Sequence, residues 1–290
     1  MPGGGEQDAQ APSSSADGVK KPSRAGRDLR SAIAVGVGLG VVVLVSLFTV
    51  RQVFIAVVAA AVAVSIFELA RALKASAGIQ VALVPVLVGG QAVVWLAWPY
   101  ERGGVLSAFV ITMLVCLVWR LKDGADGYLR DVTASIFTVA YVAVFAAFAV
   151  MLVVPDDGAY RVIAFILGVV LSDTGGYIAG VLFGKHAMAP TISPKKSWEG
   201  FAGSLVAGMV GGALTVSLLL EGQWLQGVLF GAALVVSSTT GDLIESLIKR
   251  DLGIKDMGTL LPGHGGLMDR MDSLLPSAVV GWLLLHLFVP

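Results

Sequence analysis

The chain is poor in charge. Asp, Glu, Lys and Arg make up only 14% of its 290 residues, against 56% hydrophobic residues, whereas a soluble domain carries roughly 25% charged residues. So few charges exclude a water-facing surface over most of the molecule and suit one whose exterior is lipid. Neither sign is in excess: 20 basic residues balance 20 acidic ones, which removes the electrostatic case for a nucleic-acid partner. Cysteine is almost absent. The single thiol, Cys116, excludes an intrachain disulfide and, lying in an apolar run, reads as a small packing residue. No internal repeat is evident, which weighs against transporter architectures built from duplicated halves.

Apolar sequence of bilayer length is abundant. Residues 1–30 are the exception: rich in Gly, Ser, Pro, Gln and Ala, and carrying Lys20, Lys21, Arg24, Arg27 and Arg30, they read as a disordered cytoplasmic tail. The run after Arg30 is too long for the core of a signal peptide and lacks a small-x-small exit, so an uncleaved first span is expected. Apolar runs cover 31–50, 53–70, 79–98, 104–121, 132–154, 161–183, 200–220, 224–241 and 272–289, each near the roughly 20 residues that cross a hydrocarbon core. One helix over 31–70 would be about 60 Å long, which forces a division at Arg51-Gln52. The expected fold is all-α: a polytopic integral membrane protein of about nine transmembrane helices. Residues 31–154 would form spans 1–5, and 155–290 a C-terminal catalytic region of spans 6–9. With the tail in the cytoplasm, all the Lys and Arg residues except Arg51, Arg102 and Arg161 fall in cytoplasmic segments, as the positive-inside rule requires. The C-terminus then lies outside.

Most polar residues of the first five spans have ordinary explanations. Glu68 precedes Arg71 by three positions, the spacing of an interfacial ion pair. Asp123, Asp126 and Asp131 lie among basic residues and read as solvated. Span six differs, because Asp173 sits at its centre within Ser172-Asp173-Thr174-Gly175-Gly176-Tyr177. An aspartate there costs about 2.5–3.5 kcal/mol on insertion scales, so it should face a polar cavity or a cation, or bond between helices. The next loop reads Ser193-Pro194-Lys195-Lys196-Ser197-Trp198-Glu199-Gly200. Its lysines and hydroxyls can take phosphate groups or anionic lipid headgroups.

Span eight continues through Asp242, Glu245, Ser246 and Lys249, which share one helix face at i, i+3, i+4 and i+7. Such a stripe needs a polar partner. The segment from Asp251 to Ser273 contains Pro262 and Gly263-His264-Gly265-Gly266, which bar a regular helix and offer backbone N–H groups to an anion. Asp269 and Asp272 open the last span, where carboxylates serve as ordinary capping residues. Asp242 and Asp269 could also meet from neighbouring helix ends and hold Mg²⁺, which binds through one or two carboxylates plus substrate phosphates. Acids, cations, a histidine and a glycine-rich turn on one face are the equipment of metal-assisted phosphoryl or nucleotidyl transfer.

Residues Ser246 to Asp272 resemble the C-terminal signature of the phosphatidate cytidylyltransferase (CDP-diacylglycerol synthase) family. The matching positions are Ser246, Ile248-Lys249-Arg250, Lys255-Asp256, Gly258, Leu261-Pro262, His264-Gly265-Gly266-Leu267 and Asp269-Arg270-Met271-Asp272, with no departure. The motifs around Asp173 and around Lys195-Lys196 are also similar to family motifs, so the specific resemblance covers roughly residues 170–275. It implies that CTP and phosphatidic acid give CDP-diacylglycerol and pyrophosphate at the cytoplasmic face of the cell membrane. It further implies that the acids matching Asp242 and Asp269 bind Mg²⁺ together with K⁺. On this resemblance the candidate catalytic residues are Asp242, Asp269, Lys249 and Arg270, with Asp173 contributing to the cavity or the metal. Substrate contacts would come from Lys195, Lys196, Ser197, Arg250, Lys255, His264, Gly265, Gly266 and Asp272. Membrane lipid is the expected surrounding, and a homodimer is one possible assembly. The rival readings are an enzyme of the same superfamily acting on another lipid, such as an isoprenoid-alcohol kinase, and an ion-coupled transporter.

Overall fold

The computed structural model describes residues 38, 40–258, 260 and 265–289. The N-terminal tail, nearly all of 31–39 and the candidate His264 lie outside the described residues. Helix α1 (Gly40–Thr49) is followed by α2 (Arg51–Ala77), α3 (Leu83–Arg120), α4 (Tyr128–Thr138), α5 (Phe145–Leu152), α6 (Gly158–Phe183), α7 (Trp198–Leu219), α8 (Trp224–Asp251), α9 (Met268–Met271) and α10 (Leu274–Phe288). A π-helical turn over Val139–Val144 joins α4 to α5, and a two-stranded antiparallel hairpin, β1 (Ala187–Ala189) and β2 (Ser193–Ser197), connects α6 to α7. Among the described residues, seven helical segments are long and apolar enough to cross a membrane. Large apolar side chains such as Phe48, Val88, Val118, Val181, Leu218 and Leu287 stand exposed along them. Lipid, not water, is the solvent that such a surface requires, and the protein is an all-α, multi-pass membrane protein.

One of the seven segments is two helices. A straight α3 would separate Gly89 from Thr112 by about 35 Å at 1.5 Å per residue. Instead, a Cβ on Gly89 would fall 2.1 Å from the Thr112 hydroxyl oxygen, so the two arms lie against each other. The chain reverses at Glu101, whose backbone takes φ 45° and ψ −129°, just after Pro99. Proline removes a helical N–H, and positive φ ends the regular ladder. The arms correspond to the expected spans 79–98 and 104–121. Of the first expected span, 31–50, Gly38 and the portion from Gly40 to Thr49 are described as helix.

Helices α6, α7 and α8 pack closely because their contact faces are made of glycine. A Cβ on Gly231 would lie 1.9 Å from the Gly208 carbonyl oxygen, and one on Gly212 would lie 2.3 Å from that of Gly227. Small residues let backbones approach where no hydrophobic effect drives helices together. Helix α10 bridges this trio to the N-terminal half, packing on α8, α5 and α6. Cys116 is fully buried, in keeping with a packing role.

Arg51, Arg102 and Arg161 gather at the end of the bundle opposite the β-hairpin. Arg161 is buried and donates to Asp157 Oδ1 at 2.7 Å and to the carbonyls of Leu285 and Val289. Arg51 donates to the carbonyls of Val154 and Asp156, and Arg102 stacks over Trp282. Asp131 corrects an expectation. It is not solvated: only 2% of its side chain is exposed, and it accepts from Arg120 at 2.6 Å and from the Gln80 N–H at 3.0 Å. The helix carrying it starts at Tyr128, four residues earlier than expected, which draws the carboxylate into the bundle beside the end of α3.

Candidate active site

The site is assembled where α6, the β-hairpin, α8 and the loop before α9 meet. Glu199, in the first turn of α7, holds the base of the hairpin. Its carboxylate accepts from the Lys185 N–H at 3.1 Å, the His186 N–H at 3.2 Å and His186 Nδ1 at 2.6 Å. Ser197 caps α7, its hydroxyl accepting from the Gly200 N–H at 3.1 Å. Arg250 Nε donates to the Ile192 carbonyl at the hairpin turn. Lys195 and Lys196 are thereby fixed between α6 and α8, and the Lys196 ammonium pairs with the Asp242 carboxylate.

Two adjacent cavities result. One, of about 260 Å³, is lined by Asp173, Tyr177, Lys195, Lys196, Ser197 and Asp242, among others. The second, of about 230 Å³, is lined by Ser193, Lys195, Ser246, Lys249, Arg250 and Lys255, among others. Lys195 borders both. The first combines carboxylates with cations, whereas the charges of the second are all positive, an arrangement suited to a polyanion.

The stripe on α8 finds its polar partner in the loop and α9. A Cβ on Gly241 would fall 2.2 Å from the Asp272 carbonyl oxygen. This glycine is what lets the last helical segment close against α8 and brings Asp272 near Asp242 and Glu245. Lys249 donates to Asp269 Oδ1 at 3.0 Å and lies 3.4 Å from Glu245 Oε2. The Asp269 carboxylate also accepts from the Met257 N–H at 2.9 Å and the Gly266 N–H at 2.7 Å. Asp269 is thus tied to α8 through Lys249, whereas Asp242 pairs with Lys196, and among the described residues no contact joins the two aspartates directly. Gly265 has φ +79° and packs against Asp269 and Asp256, a conformation that glycine adopts without strain. Arg270 is exposed on α9, and Lys255 is exposed at the rim of the basic cavity.

Among the described residues, no three His, Cys, Asp or Glu side chains converge as a ready metal cage. The donor chemistry nevertheless fits a hard cation. Glu245 is completely buried, with the Lys249 ammonium 3.4 Å from Oε2 and the Asp272 carboxylate beside it, and among the described residues the buried Tyr141 hydroxyl lacks a hydrogen-bond partner. Mg²⁺ is held by one or two carboxylates plus substrate phosphates, so a full cage of protein ligands is not required of these residues.

Glu245 and Glu68 were undervalued by sequence reasoning. Glu68 makes no ion pair with Arg71. It is buried in α2 and accepts from the Met268 N–H at 2.9 Å, where the loop enters α9. The signal that could have found it is the one that marked Asp173, an ionisable residue inside a membrane span.

Fold and site together describe a multi-pass membrane protein with cavities rich in cations and carboxylates at one end of its helix bundle, equipment suited to an enzyme acting on phosphate groups. The profile of the cytidylyltransferase family matches residues 30–288. The chain belongs to that family. It is 49% identical over 279 residues to a phosphatidate cytidylyltransferase of Mycobacterium bovis, covering 91% of this chain and 90% of the relative. It is 48% identical over 285 residues to a phosphatidate cytidylyltransferase of Mycobacterium leprae, covering 93% and 91%. A more distant relative of the same name, from Staphylococcus aureus, is 32% identical over 181 residues, covering 62% of this chain and 68% of its own.

Proposed function

We propose that the chain carries the activity for which these relatives are named, transferring the cytidylyl group of CTP to phosphatidic acid to give CDP-diacylglycerol and pyrophosphate. The observation that carries this reading is the pair of adjoining cavities sharing Lys195, one wholly cationic and one mixing Asp173 and Asp242 with Lys196. Two phosphate-bearing substrates need two neighbouring anion sites, and a shared lysine joins them where the new bond must form.

Lys249, Arg250 and Lys255 hold the triphosphate of CTP, with Ser193 and Ser246 donating at the cavity wall. Phosphatidate brings its headgroup to Lys195, Lys196 and Ser197 while its acyl chains stay in the bilayer. Its phosphate oxygen bonds to the α-phosphorus of CTP in line, and the bond to pyrophosphate breaks. The attacking group is already an anion, so the barrier is chiefly repulsion between like charges, which preorganised cations lower. Arg270, Gly265, Gly266 and Asp272 border the same loop and complete the phosphate surroundings, and His264, outside the described residues, is a candidate by its place in the sequence motif alone. Asp242 and Asp269, with Asp173 beside the cavity, would hold Mg²⁺ and its K⁺ companion, supplying charge neutralisation at the reacting phosphates.

The site end faces the cytoplasm, where CTP is available. The gathering of Arg51, Arg102 and Arg161 at the other end supports that orientation through the positive-inside rule. Nine crossings of the cell membrane follow when the two arms of α3 are counted and α1 is taken as the end of a first span.

The test supplies purified protein with labelled CTP, Mg²⁺ and a panel of lipid phosphates and lipid alcohols. A CDP-lipid formed from phosphatidate is the expected product. Turnover of an alcohol acceptor alone would move the chain to the lipid kinases.

A further inference from the structure

We propose that Glu68 of α2 is a positioning residue for Asp269, acting through the backbone of the loop that enters α9. The inference rests on the activity proposed above. Glu68 belongs to none of the three C-terminal motifs, and the Met268 that it reaches lies 200 residues away in sequence. Its residue is 6% exposed, and Oε2 accepts from the Met268 N–H at 2.9 Å. A Cβ on Gly258 would fall 2.2 Å from Oε1, and one on Gly266 would fall 2.5 Å from Oε2. The carboxylate is therefore wedged against both the outgoing and the returning arm of the loop, and the two glycines are what admit it.

The same stretch of backbone holds Asp269 on its other side. Gly266 N–H donates to Asp269 Oδ2 at 2.7 Å, and Met257 N–H, next to Gly258, donates to the same oxygen at 2.9 Å. Each arm is thus gripped between two carboxylates, one from α2 and one from α9. A shift of Gly266 and Met268 away from Glu68 would carry the Asp269 amide partners with it.

Among the described residues, little else restrains the loop by polar contact from the α2 side. A cleft of about 840 Å³ opens there, lined by Phe67, Arg71, Ile254, Met257 and Leu260, among others. Among the described residues, the one other polar contact from α2 to α9 is Ser65 Oγ to the Met271 sulfur at 3.4 Å, a weak acceptor. A charge-assisted hydrogen bond accepted by a buried carboxylate is the stronger tether, and it gives an ionisable group at this depth a partner.

Full-length Glu68→Ala and Glu68→Gln proteins are compared with wild type in two measurements. The first is steady-state kinetics with CTP and phosphatidate. Losing a buried charge-assisted bond lowers kcat by about 10- to 100-fold in Glu68→Ala. KM for CTP stays within about threefold, because the cations that bind triphosphate are untouched. Glu68→Gln keeps an acceptor oxygen for Met268 and recovers much of the loss. The second is backbone hydrogen exchange, in which Met257, Gly266 and Met268 exchange faster in Glu68→Ala while α6 and α7 keep wild-type protection. Wild-type kcat in Glu68→Ala, equal defects in the Ala and Gln proteins, or faster exchange spread evenly over all helices would each overturn the assignment. Absence of any CDP-lipid from the wild-type protein would instead sink the proposed activity. In that case the exchange pattern still decides whether Glu68 holds the loop.

Discussion

Asp242→Asn separates a role in chemistry from a role in holding the fold. Asp242 pairs with Lys196, but the two side chains remain 28% and 26% exposed. A pair with that much solvent contributes about 0–1 kcal/mol to stability. Asparagine preserves the shape and one carbonyl oxygen for the lysine, so thermal unfolding in detergent should change by no more than that amount implies. Activity should respond differently. Removing one preorganised electrostatic group from a reaction centre costs about 10²–10³ in kcat, or roughly 2.7–4 kcal/mol. The assay is CDP-diacylglycerol formation at saturating CTP and phosphatidate, alongside the unfolding midpoint. A second arm compares Asp242→Asn, Lys196→Met and the double variant, since contacting residues reveal their coupling through non-additivity. If Asp242 served only to hold Lys196, both single losses would equal the double one. Near-wild-type turnover in Asp242→Asn, or a loss of activity matched by a loss of folded protein, would refute the reasoning.

Other substitutions probe other parts of the molecule. Lys195→Ala, in the wall common to both cavities, should raise KM for both substrates, whereas Arg250→Ala should raise KM for CTP while leaving that for phosphatidate near wild type; initial-rate kinetics with each substrate varied distinguishes them. Arg120→Ala leaves the buried Asp131 carboxylate without its main partner and should destabilise the fold by about 3–5 kcal/mol, read as a lower unfolding midpoint. Gly231→Val puts a side chain where a Cβ would lie only 1.9 Å from the Gly208 carbonyl oxygen. It should cost at least the roughly 1–3 kcal/mol of core overpacking, seen as loss of monodisperse protein on extraction from the membrane.

The site was only partly legible, and the boundary between what could and could not be read is physical. The sequence leaves Asp173 to a polar cavity, a cation or a bond between helices, and in the structure it borders a cavity together with Lys195, Lys196, Ser197 and Asp242. The stripe Asp242, Glu245, Ser246 and Lys249 was readable because helical periodicity is local. Its partner was not readable, because which residue meets Lys249 depends on how closely α9 approaches α8. Glu68 was misread for a related reason. Spacing to Arg71 suggested an ion pair, but burial draws the carboxylate toward backbone amides some 200 residues away in sequence.

The amino-acid sequence by itself determined the solvent of this protein, the approximate places where its helices run, and the end at which its charges collect. These follow from composition and from periods of one helical turn, quantities that neighbouring residues settle among themselves. The reversal at Glu101 also has a local cue in Pro99, although the contact of Gly89 with Thr112 is what turns one long helix into two arms. Only the tertiary structure decided that Gly241 lets the start of α10 close on α8, that Lys195 stands between two cavities, and that Glu68 reaches across to Met268. Each of these depends on the distance between backbones far apart in sequence. In a bilayer that distance is set by how small the facing residues are and by where buried polar groups find partners.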